Sequence, residues 1–484
     1  MKIEGQKSTL VSHGSRDMDQ FTFYVVTYNV SSKSPNRSLI NLLQWESQDE
    51  KNLPDFCVFG FQEIKSQPQN LLLDSVFDDP WTTAIRDVLN GFDYVKIRTV
   101  KMVGLLLNVF CRRKHVPHLT HMETSETRTG LLGLWGNKGA VSFSFKIYNT
   151  TICIVNSHFA AHEEYLNDRV NNYRTIVNSQ LFGLSRKTIL SHDYVFWIGD
   201  LNFRLDDSRA YSSELIAQII SSVELTRRSA NTLTDLWTQD ELRTVMENGK
   251  AFENFIEPLP MFPPTYRFLV GHSQYDLKRR PAWTDRILYK TNASSQGKSL
   301  LDVMSYNHID SITLSDHKPV YGESRVQISN KNCVESNIQT VVFHPIQEWL
   351  LESENEVTLR VKGFTPNVND WIGIYNENFT SLNDYLSYVY LPSETIDPEE
   401  DSISDPTNFN SISPICRVQF LPEVFPDGSK SVCLKFSETS VLNPGKYILI
   451  YFSANNHSVL GVSQTFVAVH RQNLPLTPPR EFGW

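Results

Sequence analysis

The chain has 484 residues, 40% hydrophobic and 20% charged, and a formal net charge of −9. This is the composition of a water-soluble globular protein of roughly two to four domains. It argues against bilayer-spanning helices, since no apolar run approaches the roughly 20 residues that one needs, and against a general nucleic-acid binder, which would be basic over its binding face.

Residues 1–19, opening "MKIEGQKSTL", read as a disordered leader without the apolar centre of a signal peptide. Over 20–326 short apolar runs alternate with polar, helix-like stretches, which predicts an α/β domain. Its first strand, "FTFYVVTYN", ends in Asn29, and the next, "DFCVFGFQE", ends in Glu63. "CRRKHVPHLTHM" sets Arg112, Arg113 and Lys114 beside Val116 and Leu119, a mixture that suits contact with an anionic membrane. In "GNKGA", Lys138 stands beside glycines that let backbone approach closely, which suits a phosphate contact. "TICIVNSH" ends in Ser157 and His158. Leu166, Val170, Tyr173, Val177 and Leu181 then recur at three- and four-residue steps, with Asp168, Arg169 and Arg174 between them, predicting a helix with one face on a sheet. "YVFWIGDLN" ends in Asp200 and Asn202, and "ITLSDHKPV" carries Asp316 and His317.

Residues 327–333 are polar and aperiodic, a linker. From 334 to 470 strand-like pieces such as "EVTLRVKGF", "DWIGIYNE" and "GKYILIYFSA" are separated by Pro, Gly, Asn and acidic loops, which predicts an all-β sandwich. The loop "SETIDPEEDSISD" reads as a solvated excursion. Residues 471–484 form a tail without a prenylation box. The two domains have separate strand patterns, so the first is expected to fold and work without the second. Six cysteines without a CxxC pair read as reduced core residues, neither a disulfide framework nor a zinc site.

One polar residue after a strand is usually a turn former. Five apolar runs that each end in Asn, Glu, His or Asp instead predict convergence, because α/β sheets bind ligands at one end of their strands. The set suits phosphoryl chemistry. Glu63 and Asn29 offer a carboxylate and an amide oxygen to a hard cation such as Mg2+. Asp200 is a base for a water, and Asn202 holds a phosphate oxygen or orients that base. His158 and His317, if protonated, stabilise charge on the equatorial oxygens. Neither a CxxxxxR phosphatase loop nor a GxxxxGK[ST] loop is present in the sequence.

"WIGDLNFRLD", "PAWTDRILY" and "SDHKPV", together with "FQEIK", "GNKGAVSFSF" and "NSHFAAH", resemble the inositol polyphosphate 5-phosphatases over about Phe21 to Arg325. The resemblance implies the endonuclease/exonuclease/phosphatase fold, in which two β-sheets pack face to face with helices outside. "VVFHPIQEWL", "DWIGIYNENF" and "GKYILIYFSANNHSVLGVSQTF" are similar to the SKICH domain, an immunoglobulin-like sandwich. By this resemblance Glu63 ligates Mg2+ with Asn29 beside it, Asp200 activates water, and His158 and His317 hold the scissile 5-phosphate. Asp285 pairs with His317, and Asp316 lies at the metal edge. Tyr266, Arg267, Lys278 and Arg279 embrace a 4-phosphate, with Arg267 where Lys is usual and Leu277 where relatives are often basic. Trp283 is core or pocket wall. The resemblance further implies phosphoinositide lipids such as PtdIns(4,5)P2 and PtdIns(3,4,5)P3 as substrates at a membrane surface, soluble inositol polyphosphates beside them, and a role in phosphoinositide signalling. It implies a protein partner through the SKICH domain, no nucleic acid, and a cytoplasmic protein peripheral to the endoplasmic reticulum and plasma membrane. A nuclease or sphingomyelinase on the same fold shares the catalytic set, but "PTYR" and "KRRPAWTDR" speak against it; the other alternative is a catalytically weak scaffold.

Overall fold

Strands that are apolar on both faces need two covers, and in the first domain each sheet finds one in the other sheet and one in helices and loops. The computed structural model describes residues 18–35, 39–45, 53–65, 78–130, 137–206, 211–226, 229–292, 300–329, 340–391, 417–455 and 457–471. In chain order the first domain contributes β1 (Met18–Asn29), β2 (Phe56–Gln62), β3 (Tyr94–Met102), β4 (Leu105–Arg112), β5 (Leu119–Arg128), β6 (Gly139–Ile147), β7 (Thr150–His158), a small ribbon of β8 (Leu181–Phe182) and β9 (Lys187–Thr188), β10 (Tyr194–Asp200), β11 (Asp285–Thr291), β12 (Leu301–His308) and β13 (Val320–Ser329). Its helices are α1 (Pro80–Leu89), α2 (Leu166–Ser179), α3 (Ser213–Thr226), α4 (Ser229–Trp237) and α5 (Glu241–Glu247).

One sheet runs β12-β13-β1-β2-β4-β3 and the other β11-β10-β7-β6-β5. The period of two divides each strand between two cores. In β10, Tyr194, Phe196 and Ile198 face the other sheet, while Val195 and Trp197 pack with Val170, Tyr173 and Ile176 of α2. The same alternation in β1 sends Phe21, Phe23 and Val25 inward and Tyr24, Val26 and Tyr28 outward. Asn29, His158, Asp200 and Asp285 continue the inward rows beyond their last apolar residues. The parallel pairs β1·β2 and β7·β10 end at the same edge of the molecule.

The second domain contains β14 (Thr340–Phe343), β15 (Trp349–Leu350), β16 (Asn355–Lys362), β17 (Trp371–Asn376), β18 (Ser387–Tyr390), β19 (Arg417–Val424), β20 (Lys430–Phe436), β21 (Gly445–Ser453), β22 (Ser458–Val462) and β23 (Phe466–Val469). They form sheets β14-β16-β20-β19 and β15-β23-β21-β17-β18, with β22 on β21 and no α-helix among the described residues. This is the expected sandwich.

The two domains are not independent. β3 is an edge strand, and its exposed backbone pairs with the second domain: Lys96 N–H donates to Thr380 O (2.8 Å) and Leu382 N–H to Lys96 O (3.0 Å). Arg86 reaches Asp384 and Thr380 at 2.6 Å each. Phe379, Leu382, Ile450, Phe452 and Val459 belong to the same continuous apolar cluster as the inter-sheet core. Here the 112–119 expectation fails. Val116 and Leu119 are 2% and 0% exposed in that cluster, and Arg113 sits 4.5 Å over the Phe379 ring while donating to its carbonyl at 2.8 Å. Lys114 faces Asp55 (3.2 Å), and Arg112 packs 5.8 Å from the Tyr94 ring centre. The stretch is an interdomain seam, not a membrane contact.

Two smaller differences concern boundaries. The leader ends earlier than expected, since Met18 and Asp19 already pair with Ser329 and Ile328; residues 1–17 lie outside the described residues, as do 330–339 around the linker, the acidic loop and 472–484. The predicted helix stops at Ser179, and Leu181 begins β8. Cys57, Cys111 and Cys153 are buried and free, as expected, and Cys433 is free and half-buried.

Candidate active site

Sheet register builds the site. Across the second sheet Gly139 pairs with His158, His158 with Asp200, and Asp200 with Asp285, one row over four strands. Two glycines make this row possible. A Cβ at Gly199 would lie 1.9 Å from Ser157 O and one at Gly139 2.0 Å from Thr127 O, each at a φ of +143°. In the first sheet Asn29 pairs with Gln62, and Glu63 follows with φ 55°, a left-handed turn that ends the strand and aims the carboxylate into the pocket.

The pocket, about 240 Å³, is lined by Glu63, Lys138, His158, Asp200, Asn202, Asp316 and His317, with Tyr266, Arg267 and Arg279 on one side. Ten of the expected residues therefore meet. Asp200 is 1% exposed and accepts from Asn29 Nδ2 (2.9 Å) and the Asn202 backbone N–H (3.1 Å), with His158 Nε2 at 3.3 Å and His317 Nε2 at 3.9 Å. Burial alone would raise its pKa, but the hydrogen bond and charge of His158 and the charges of His317 and Lys138 hold it well below the usual carboxylate range.

Their surroundings shift the two histidines in opposite directions. Burial alone would lower His317, but Asp285 Oδ2 at 2.9 Å, with the Asp200 charge behind it, pushes it up to about 9, so it carries its proton at neutral pH. Asp285 also accepts from Thr265 (2.8 Å) and Thr284 (3.0 Å), which fix the carboxylate that orients the ring. His158 goes the other way: burial and the neighbouring Lys138 lower it, and its Nε2 faces Lys138 Nζ. Of the two expected imidazolium ions, His317 is thus held in the charged form by Asp285, while His158 is pushed toward the neutral form beside the Lys138 ammonium. Lys138 itself is lowered by burial.

Asn29 Oδ1 accepts the Ser31 N–H (3.0 Å) while its amide donates to Asp200. One of the two lone pairs of its oxygen is therefore taken, and the amide is fixed beside Asp200. Lys278 is exposed and lies off the pocket, whereas its neighbour Arg279 lines it. Trp283 is core: it is fully buried and donates to Phe262 O at 3.0 Å. In "TDRIL", Arg286 is buried against Asp240 (2.9 Å) and Glu257 (2.5 Å), so some of the charge in that motif is structural.

Sequence reading missed Arg204, His162 and Glu163, all in the pocket wall. Arg204 donates to Asn202 Oδ1 (2.6 Å) and lies 4.7 Å over the Tyr266 ring, which packs 4.5 Å from the His317 ring. It stands within "WIGDLNFRLD", but nothing in its charge alone separates a pocket arginine from a solvated one. Asn156 was also missed. Alternation from Ile152 and Ile154 points it inward below His158, where it accepts from Gln62 Nε2 (2.6 Å) and donates to Phe61 O and Leu106 O (3.1 and 3.0 Å), tying the sheets together under the site.

The oxygens facing the pocket from Glu63, Asp200 and Asp316, with no sulfur ligand, fit a hard divalent cation. Asp200, Asp285 and His317 also bring ligand atoms within 4.8 Å of one another, but Asp285 and His317 are spent on each other.

Two face-to-face sheets with a carboxylate, amide and imidazole set at one edge define a phosphate-ester hydrolase of the endonuclease/exonuclease/phosphatase kind. Residues 26–323 match the Endonuclease/Exonuclease/phosphatase family 2, and residues 341–468 match the SKICH domain. The mouse Inositol polyphosphate 5-phosphatase K is 32% identical over 459 residues, 92% of this chain and 88% of that protein. The mouse Phosphatidylinositol 4,5-bisphosphate 5-phosphatase A is 33% identical over 460 residues, again 92% of this chain, which spans only 41% of that longer relative. The 5-phosphatase domain of SpSynaptojanin, solved with inositol (1,4)-bisphosphate and calcium, superposes with a TM-score of 0.54 at 31% identity, over 64% of this chain and 86% of that one. The chain belongs to the inositol polyphosphate 5-phosphatase family. No helix among the described residues is long and apolar enough to cross a membrane.

Proposed function

We propose that the protein removes the 5-phosphate of phosphoinositides, PtdIns(4,5)P2 and PtdIns(3,4,5)P3, and of soluble inositol polyphosphates, by direct attack of water with Mg2+ as cofactor. The observation that carries this is one pocket that gathers Glu63, Asp200, the protonated His317 and Lys138. Glu63, with Asp200 and Asp316 in reach, would hold the cation, which when bound supplies positive charge to the phosphate. Asp200, ionised at neutral pH, takes the proton of the attacking water while Asn29 and the Asn202 N–H hold its two oxygens in place; the P–O bond to the inositol 5-oxygen breaks as the new one forms, and that oxygen leaves as the alcohol by taking a proton from water. His317 and Lys138 answer the charge on the scissile phosphate, and Asp285 keeps the imidazolium turned toward it. Asn202 is itself positioned by Arg204, so the base, its orienter and the rim form one hydrogen-bonded unit. A water nucleophile needs no covalent enzyme intermediate.

Lipid substrates call for peripheral action at a membrane surface, and the family resemblance names the endoplasmic reticulum and plasma membrane. A protein partner would meet the SKICH domain at its edge strand β18 and the turn before it, where Tyr385, Tyr388 and Tyr390 are exposed. The test of the reading is phosphate release from a panel of inositol lipids and soluble inositol phosphates, with Mg2+ and with a chelator. Release confined to 5-phosphorylated substrates and lost with chelator is expected; a chelator-resistant rate, or release from phosphodiesters instead, would refute it.

The same panel reads the rim. Tyr266, Arg267, Arg204 and Arg279 place a cationic and aromatic wall where a 4-phosphate would sit, with Arg267 steadied by Asp276 (3.4 Å) and Asp316 (3.3 Å). A charge-assisted hydrogen bond is worth roughly 1.5–3 kcal/mol, so Arg279→Ala should lower kcat/KM on PtdIns(4,5)P2 by about ten- to a hundred-fold. A substrate without the 4-phosphate should lose far less. Equal losses on both would move Arg279 from recognition to support of the strand that follows.

A further inference from the structure

Arg267 and Arg279 both line the pocket, and between them the chain leaves the surface as a short hairpin. Asp276 N–H donates to Arg267 O and Leu269 N–H to Gln274 O, each at 2.8 Å, and His272 N–H closes the turn on Leu269 O at 3.0 Å. Gly271, at φ 84°, allows the reversal and ties the tip to Thr313 O at 2.8 Å. At the base the rings of Phe268 and Tyr275 stack 4.4 Å apart, Tyr275 Oη donates to Pro264 O at 2.6 Å, and the Lys318 ammonium lies 5.0 Å over the Phe268 ring. The hairpin is therefore held in shape by its own bonds and by the body of the domain.

A well-braced hairpin in water would carry polar residues outward. This one has His272, Ser273 and Gln274 exposed at its tip, but it also carries Leu269, Val270 and Leu277, which are 42%, 49% and 42% exposed. Lys278 is exposed directly beside them, and Arg279 follows at the pocket rim. The acidic neighbour within the hairpin, Asp276, faces Arg267 and is only 13% exposed. Asp310, 61% exposed, is paired with Lys318 at 3.1 Å. Apolar side chains flanked by cations, on a protein whose net charge is −9, match the chemistry of an anionic bilayer surface. The stretch that sequence alone suggested for this purpose, 112–119, is taken up by the interdomain seam, and Leu277 stands at a position often basic in the family pattern.

We propose that this hairpin, through Leu269, Val270 and Leu277 with Lys278 beside them, is the surface by which the protein rests on an anionic lipid bilayer. Charge and adjacency carry the choice of occupant: the exposed cations Lys278 and Arg279 border the apolar side chains, and the pocket mouth beside them is where the head group of an anionic lipid would enter. The proposal thus deepens the phosphoinositide reading and rests on it.

The experiment uses the full chain and a triple variant, Leu269→Ser, Val270→Ser and Leu277→Ser. All three side chains are exposed, so the melting temperature should stay near that of the parent. Sedimentation with vesicles of phosphatidylcholine and phosphatidylserine, free of phosphoinositide, reads docking without the pocket. The parent should bind, and the variant should bind about ten-fold or more weakly, as expected for losing apolar contact. On PtdIns(4,5)P2 in such vesicles its rate should fall about ten-fold, while its rate on soluble inositol 1,4,5-trisphosphate should stay within about two-fold of the parent's. Unchanged vesicle binding in the variant, no binding by the parent, or equal loss on soluble substrate would overturn the proposal, the first leaving the hairpin to a protein partner. A parent that binds these vesicles but dephosphorylates neither substrate would overturn the proposed function, and the vesicle comparison would still decide the hairpin.

Discussion

Asp200→Asn is expected to abolish turnover while leaving the fold standing. The amide keeps the carboxylate's shape, and its oxygen can still accept the Asn202 N–H that Asp200 accepts at 3.1 Å. What is lost is the proton acceptor, the hydrogen bond from Asn29 Nδ2 (2.9 Å) and a buried negative charge beside His158, His317 and Lys138. Removing a general base costs about 10² to 10⁴ in rate, so kcat should fall by that range with the melting temperature little changed. A second readout follows from the sign of the coupling. His317 is held up to about 9 in some measure by the Asp200 charge, so neutralising residue 200 should move its proton loss to lower pH, shifting the alkaline limb of the residual activity downward. Activity within a few-fold of the parent would remove Asp200 from the mechanism.

Removing the second domain, by ending the chain at Ser329, is expected to cripple the first. The solved SpSynaptojanin domain superposes over 64% of this chain, yet here the catalytic domain has a face built for a companion. Phe379, Leu382 and Val459 lie in the same apolar cluster as Val116, Leu119 and Met122. The edge of β3 takes backbone bonds from residues 380 and 382, and β5 from the other side bonds His457 and Ser458 through Met122 N–H (3.3 Å) and His121 N–H (3.1 Å). Arg86 and Lys96, gathered around Asp78, would lose Asp384. Exposing three large apolar side chains' worth of contact costs on the order of 5 kcal/mol. That is roughly 10 °C in Tm for a domain of this size, with aggregation from the bared patch. Differential scanning calorimetry of fragment and full chain checks this: a single cooperative transition in the full chain and a lower, irreversible one in the fragment are expected. A monodisperse, fully active fragment melting within a few degrees of the full chain would show that the seam is a passive contact.

Much of the site was legible because of how mixed sheets are written. A strand covered on both faces is an apolar run, and a polar residue at its end on the inward phase must face the gap between the sheets. Asn29, His158 and Asp200 close their strands on that phase and Asp285 opens its strand on it, while Glu63 escapes the alternation only through its left-handed backbone. The split between two architectures was equally readable, from helical periodicity before residue 326 and its disappearance afterward. Roles were less readable than positions. Asn29 was taken for a ligand because an amide has an oxygen; which end of the amide faces Asp200 depends on the Ser31 N–H that claims that oxygen. His158 and His317 look alike in sequence; burial lowers both, Lys138 lowers His158 further, and only the Asp285 carboxylate lifts His317 above its ordinary value.

By itself, then, the order of residues determined the strands, their inward rows and the chemistry gathered at their ends, because those follow from alternation and side-chain type within a few positions along the chain. Tertiary structure alone decided what covers the remaining faces. "CRRKHVPHL" is a basic and apolar stretch in either setting, and it became a seam because Phe379, distant in sequence, stacks on Arg113. "FLVGHSQYDL" is as apolar at 269, 270 and 277 as many core segments, and it stayed exposed because, among the described residues, no other segment closes over it. Burial is a property of the partner that arrives, and a partner hundreds of residues away leaves no local mark.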